Sequence, residues 1–308
     1  MNDGARRFSQ RLRKLLMSTT AAVSRPEPRT LSKLADTTHI KELVIPPCPQ
    51  SLIDLQALLR KPDADLSELQ SIVNTDVGLA AALVGAANSP LFARSQPVES
   101  VEHALSTLGM RNSAAVLTRV LLKQAVPAES KLLERFWENS ARRAISMAYI
   151  ARQLYDLPPD LAYTVGLFCH VGQPIMLQSL KGYDKTLTDL REHPNLDWVQ
   201  VENERHRTDH AVVGALAARA FHMPATIVTA IALHHDHFCL DDESIDRTVR
   251  TLVAALRVTE RVLQTFNTSV EDPEWTRCGA ACLAHLKVTD QELVLWSDAI
   301  HEHFNAGQ

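Results

Sequence analysis

Apolar residues recur every three to four positions along most of this 308-residue chain, and no convincing run of alternating strand residues breaks the pattern. The first clear case is Leu52, Leu55, Leu58 and Leu59, which would share one face of a helix. Polar residues such as Asp76 precede several of these segments and can cap a first helical turn. Aromatic residues make up only 5% of the chain, which favours helices over sheets. The sequence therefore predicts an all-α fold.

Proline-rich and polar stretches divide the chain into four predicted parts. Residues 1–44 are predicted to be a basic N-terminal arm and linker, and residues 45–127 a module of five short helices. Residues 128–268 are predicted to form a second helical module, and residues 269–308 a C-terminal helical extension. We expect the two middle parts to pack against each other.

Charge and cysteine content limit the classes of function. A net charge of −4 argues against nucleic acid as the main partner of the whole chain. The five cysteines are odd in number and include no CxxC pair, so we expect reduced thiols in a cytoplasmic protein. No apolar run reaches the ~18–20 residues that span a bilayer, so no membrane span is predicted.

The central stretch, residues 166–172, places Cys169 and His170 between two glycines that would let helices approach closely. Adjacent residues on a helix point about 100° apart, which argues against a Cys169–His170 nucleophile and base. Histidine is concentrated between residues 206 and 237: His206, His210, His222, His234, His235 and His237. Asp209 can cap a new helix, which would separate His206 from His210. Capping helices and filling polar pockets are the common roles of such histidines, and a metal site is the alternative.

Spaced motifs run through both modules. Those in the first are Pro46-Pro47-Cys48-Pro49, Asp76, Ala87-Asn88-Ser89, Val98, Ser100-Val101, Ala104-Leu105 and Leu108-Gly109. Those in the second are Phe136-Trp137, Ser140, Gly166, Gly172, Glu202, Asp209-His210, Gly214-Ala215, Met223-Pro224 and His234-His235. With these motifs, residues 45–265 resemble the HDOD domain, a bacterial helical module related to HD-type metal phosphohydrolases. The resemblance implies an HD-like bundle for the second module and a regulatory or signalling role.

The same resemblance implies a broken metal site. An HD-type site would have a histidine at Asn139, His-Asp at Cys169-His170 and an acidic ligand near Arg257. Divalent metals need several deprotonated donors at once, so we expect no HD-type metal, no cofactor and no catalytic residue. The vestigial site would comprise Asn139, Cys169, His170, His210, His234, His235 and Arg257.

Three functional hypotheses follow. The first is a non-catalytic signalling module that binds a signalling or regulatory protein, through the basic arm or the groove between the modules. The second is a metal-dependent phosphohydrolase with a rearranged site made from His170, His210, His234 and His235. The third is a sensor that binds a small ligand in the vestigial pocket, because a former active-site cleft tends to stay concave. The sequence leaves the oligomeric state open.

Overall fold

The computed structural model describes residues 42–89, 97–128, 130–267 and 272–306, and nearly all of the predicted arm lies outside them. Within these ranges the secondary structure is helical, with no strand, which confirms the predicted all-α fold. The α-helices are α1 Gln50–Leu59, α2 Leu66–Val73, α3 Val77–Ala87, α4 Val101–Ala125, α5 Phe136–Gln153, α6 Pro159–Phe168, α7 Gly172–Ser179, α8 Tyr183–Glu192, α9 Trp198–His206, α10 His210–Ala220, α11 Ala225–Leu233, α12 Arg247–Asn267, α13 Pro273–Leu286 and α14 Asp290–Ala306. Two short 3₁₀ helices cover Lys131–Leu133 and His237–Asp241.

Side-chain caps start three of the four described helices of the first module, including the predicted cap at Asp76. Asp65 accepts hydrogen bonds from the first turn of α2, Asp76 from α3 and Ser100 from α4. The predicted fourth and fifth helices are the two halves of α4. Gly109 joins them at φ 71° and ψ 175°, a backbone conformation that favours glycine, so the predicted helix end is a kink.

Two glycines allow close helix packing in the second module. A Cβ atom at Gly166 on α6 would stand 2.9 Å from the Cα of Ala144 on α5. A Cβ atom at Gly172, the first residue of α7, would collide with the backbone of His210 at the start of α10. Both contacts confirm that the glycines around residues 166–172 serve close approach of helices.

The break between α9 and α10 separates two histidines. α9 ends at His206, Arg207 takes the left-handed conformation at φ 59°, and Asp209 caps α10. His206 instead contacts Thr186, with its Nε2 2.9 Å from the hydroxyl oxygen. The predicted cap at Asp209 is confirmed.

Both predicted modules contribute to one cluster of buried apolar side chains. Polar bonds also join them: Gln56 on α1 donates to the carbonyl of Phe221 at 2.9 Å, and Arg60 to that of His222 at 2.7 Å. Around the site, α12 packs against α5, α11 and α13. The proposed domain boundaries stay predictions. Of the described helices, none has the length and apolar character that crossing a membrane requires.

Candidate functional site: a buried histidine cluster

Four histidines converge where three helix ends meet. His170 lies in the turn between α6 and α7, His210 begins α10, and His234 and His235 follow the end of α11. One ring nitrogen from each lies within 4.8 Å of the others. The His170 and His210 rings are stacked, with centroids 5.0 Å apart and an interplanar angle of 12°. The structure thus brings together the four histidines that the second hypothesis groups.

Hydrogen bonds at Nδ1 orient three of the rings. The Nδ1 atoms lie near acceptor oxygens as follows: His210 2.7 Å from Glu202, His235 3.0 Å from Glu274, and His234 2.7 Å from the carbonyl of Ile231. Carboxylate and carbonyl oxygens accept hydrogen bonds, so Nδ1 carries the proton in each ring. In the neutral rings Nε2 therefore carries the lone pair.

The three Nε2 atoms point into the cluster. Those of His210 and His235 are 3.1 Å apart. The Nε2 of His234 is buried and has no hydrogen-bond partner among the described residues. Burial, together with the nearby His235, lowers the pKa of His234 well below its usual value, so this ring is neutral at pH 7.

His170 has a different set of contacts. Its Nε2 lies 3.1 Å from Glu260 on α12, and its Nδ1 lies 3.4 Å from the amide nitrogen of Gln173. Burial and the Arg143 charge lower the pKa of His170 to about 4. His170 is therefore also neutral at pH 7, with both ring nitrogens near polar partners.

Each carboxylate around the cluster has a second buried partner. Tyr183 donates to Glu202 at 2.6 Å, Arg143 donates to Glu260, and the Arg257 guanidinium lies 2.9 Å from Glu274. Burial alone would raise the pKa of Glu260, but Arg143 and the His170 hydrogen bond hold it well below its usual value. Glu260 is therefore ionised, and its charge is shared between a histidine and an arginine.

The positions of the HD-type ligands do not fit an HD-type metal. Asn139 and Arg257 both line the cavity beside the cluster, and the Arg257 guanidinium is itself a cation. Cys169 is fully buried, its thiol lies 3.6 Å from the carbonyl of Gly166, and burial raises its pKa to about 12. Without a bound metal the thiol is therefore protonated at pH 7 and is not an activated nucleophile, although its sulfur lies within 4.8 Å of donor atoms of His170 and Glu260. Only His170 of this set offers an imidazole.

The prediction for the acidic HD-type ligand near Arg257 requires a correction. We expected Arg257 to leave the site without a carboxylate from the later helix, but Glu260 on the same helix reaches His170. Residues three apart share a helix face, so the sequence contained this signal. No local pattern in the sequence indicated the roles of Glu274 and Arg143. Glu274 lies on α13 and contacts His235, which is 39 residues away along the chain.

A cavity of about 1090 Å³ opens beside the cluster. His170, His210 and His235 form part of its wall. Aromatic side chains line other parts of it: Phe136, Trp198 and Phe238. His170 and His235 are partly exposed, so a small molecule or a peptide side chain can reach these two, whereas His210 is fully buried.

The fold is that of a helical module of the HD-related class. The HDOD domain family model matches residues 45–237, and the chain belongs to that family. An uncharacterised protein of Treponema pallidum (strain Nichols) is 22% identical over 217 residues, 68% of this chain. The match covers 42% of that protein, so this chain spans less than half of its curated relative.

Solved structures show the same fold. A candidate signal transduction protein from Marinobacter aquaeolei VT8 has a TM-score of 0.70 at 19% identity, covering 96% of this chain and 63% of that one. A candidate phosphohydrolase from Shewanella amazonensis SB2B has a TM-score of 0.68 at 18% identity, covering 92% and 97%. An HDOD domain protein of unknown function from Geobacter sulfurreducens has a TM-score of 0.66 at 20% identity, covering 89% and 94%.

Proposed function

We propose that this HDOD protein is a regulatory module that signals by binding a protein partner and does not hydrolyse phosphate esters. One observation carries the proposal: Arg257 and Asn139 line the cavity where the HD-type pattern has metal ligands. Metal-assisted hydrolysis needs a cation that polarises the phosphoryl oxygen and activates water. A fixed guanidinium and an amide supply neither a ligand anion nor a base.

The neighbouring carboxylates support the same proposal. Glu260 is engaged by Arg143, and Glu274 by Arg257. A metal or a reacting proton would have to compete with a guanidinium for each of these carboxylates. Breaking a buried ion pair costs about 3–5 kcal/mol, which favours a binding role for the site.

The signalling part of the proposal draws on the family. The Marinobacter protein of the same fold is described as a candidate signal transduction protein. We place the partner-binding surface in the groove between the two helical modules or on the basic arm. Capture of partners from the native host, with the full chain and with a chain lacking residues 1–44, separates these surfaces. Loss on truncation assigns recognition to the arm, and retention assigns it to the helical body.

An activity assay tests the absence of hydrolysis. The purified chain is incubated with Mg²⁺, Mn²⁺ or Zn²⁺ and a panel of phosphomonoesters and phosphodiesters. We expect no turnover above that of a His210→Gln variant. Repeated turnover that is lost in the variant would overturn the proposal.

A second candidate is a metal-dependent phosphohydrolase, favoured by the convergence of His170, His210, His234 and His235. A metal held there would act as a Lewis acid on a phosphoryl oxygen. The same assay separates the two candidates, since only this one predicts turnover. A small-ligand sensor, supported by the cavity, predicts a raised melting temperature with a cavity ligand and no turnover.

A further inference from the structure

We infer that the Nε2 atoms of His210, His234 and His235 form a binding site for one divalent transition-metal ion. All three belong to the predicted vestigial site, but none stands at Asn139, Cys169-His170 or Arg257, the positions where the resemblance places an HD-type ligand. The site goes beyond the regulatory role proposed above, because it would bind metal whether or not the protein hydrolyses a substrate. Three observations support this site: the orientation of the rings, the unpaired buried Nε2 of His234, and the surrounding charge.

Ring orientation is the first observation. Glu202, Glu274 and the Ile231 carbonyl fix the proton at Nδ1 of the three rings. Metal-binding histidines commonly donate their other N–H to a carboxylate or carbonyl in this way, which fixes the tautomer. All three rings thus have the second-sphere partners of metal ligands, with Nε2 as the donor atom.

The second observation is an excess of lone pairs in a buried space. Nε2 of His210 and Nε2 of His235 face each other at 3.1 Å, and two lone pairs at that distance repel unless a cation lies with them. A shared proton would satisfy these two atoms alone. Nε2 of His234 would still be buried without a partner, at a cost of about 1–3 kcal/mol. A metal ion satisfies all three nitrogens.

The surrounding charge is the third observation. Four carboxylates and two guanidinium groups contact the histidines or each other: Glu202, Glu260, Asp272, Glu274, Arg143 and Arg257. With neutral imidazoles, this shell has two negative charges in excess. A divalent cation placed among the rings is therefore attracted by its surroundings.

The donor atoms indicate the class of metal. Imidazole nitrogen suits Zn²⁺, Co²⁺ and Ni²⁺, whereas Mg²⁺ and Ca²⁺ prefer oxygen. His170 is assigned as a neighbour and not as a ligand, because its two nitrogens lie near Glu260 and Gln173. His235 lines the cavity and is partly exposed, so a metal bound to it would be reached from that side.

Cobalt spectroscopy on the chelator-treated full chain tests the site. We expect visible absorption bands of protein-bound Co²⁺ that saturate at one ion per chain and disappear when Zn²⁺ is added but not when Mg²⁺ is added. His234→Gln is expected to weaken binding by roughly 100-fold or more, because it removes a direct ligand. His237→Gln is the matched control: His237 lines the same cavity but lies outside the cluster, and a change below threefold is expected.

Two further variants keep the test decisive if His234→Gln does not fold. Glu202→Gln is expected to weaken binding by about 10–100-fold, because it alters the partner of His210 and leaves the ligands in place. His170→Gln is expected to weaken it less than tenfold; a loss equal to that of His234→Gln would overturn the three-histidine assignment. Absence of one-to-one binding, or equal losses in His237→Gln and Glu202→Gln, would overturn the site itself. Turnover in the activity assay overturns the regulatory proposal alone.

Discussion

Gly172 lies against the main chain of His210 so closely that no side chain fits at residue 172. A Cβ atom there would collide with the His210 carbonyl group and stand 2.8 Å from the backbone nitrogen of Gly214. This contact joins the first turn of α7 to the first turn of α10. His170 lies two residues before Gly172, so the same contact supports the stacking of the His170 and His210 rings.

Gly172→Ala is expected to destabilise the protein and to separate these rings. The added methyl group meets backbone atoms, which cannot move aside as a flexible side chain can. We expect the free energy of unfolding to fall by about 3 kcal/mol, the upper part of the range for overpacked sites. Urea denaturation of the wild-type protein and the variant measures the change.

Gly85→Ala is the matched control for that variant. Gly85 lies inside α3, and a Cβ atom there would meet nothing within 4 Å. The substitution is expected to stabilise the protein by about 0.4–1 kcal/mol, because alanine has less backbone freedom in the unfolded chain. Equal losses at the two positions would contradict the packing role of Gly172.

The helices and the close glycine contacts could be predicted from the sequence because their signals are local. Asp76 and Asp209 cap helices within three residues of themselves, and Gly172 stands out in an apolar stretch. The ion pairs around the site could not be predicted in this way. Arg143 and Glu260 are 117 residues apart in the sequence, and only the fold brings their side chains into contact.

Arg257→Met tests whether the arginine at the acidic HD-type position stabilises the fold. The guanidinium is buried and pairs with Glu274, whose carboxylate would then keep only His235 and some solvent. We expect a loss of about 3 kcal/mol in the free energy of unfolding, the low end of the range for a broken buried ion pair. Thermal and urea denaturation measure it.

Arg277→Met serves as its control. Arg277 pairs with Asp197 at 3.3 Å, but both side chains are exposed, at 50% and 39%. Exposed ion pairs contribute about 0–1 kcal/mol, so this variant should unfold close to the wild-type midpoint. A loss as large as that of Arg257→Met would mean that burial does not decide the strength of these pairs.

Acid is expected to destabilise the protein below pH 6.5, well before its carboxylates titrate. His170, with a folded pKa of about 4, and His234 are held neutral by burial, whereas unfolded histidines take up protons near pH 6.5. The stability that depends on these two neutral rings is fully present above pH 6.5 and is lost as the pH falls towards their folded pKa values. Each histidine can change the free energy of unfolding by up to about 1.4 kcal/mol per pH unit.

Urea denaturation between pH 7.5 and pH 4.5, with a chelator present, measures that dependence. His170→Gln has no group to protonate at this position, so its curve should be shallower between pH 6.5 and pH 4.5. His193→Gln, at an exposed histidine, should follow the wild-type curve. A wild-type protein equally stable at pH 7 and pH 5 would contradict the prediction.

Tyr183→Phe isolates the support given to Glu202. The hydroxyl group donates to one carboxylate oxygen at 2.6 Å, and the other oxygen accepts from the backbone N–H of His210 at 2.9 Å. Both side chains are fully buried, so no solvent replaces the lost donor, and we expect a loss of about 1.5–3 kcal/mol in the free energy of unfolding. Tyr155→Phe, at a residue that is 89% exposed, should change it by less than about 0.5 kcal/mol. If the two variants unfold alike, the Tyr183 hydroxyl does not hold Glu202, and the contacts with His210 alone orient that carboxylate.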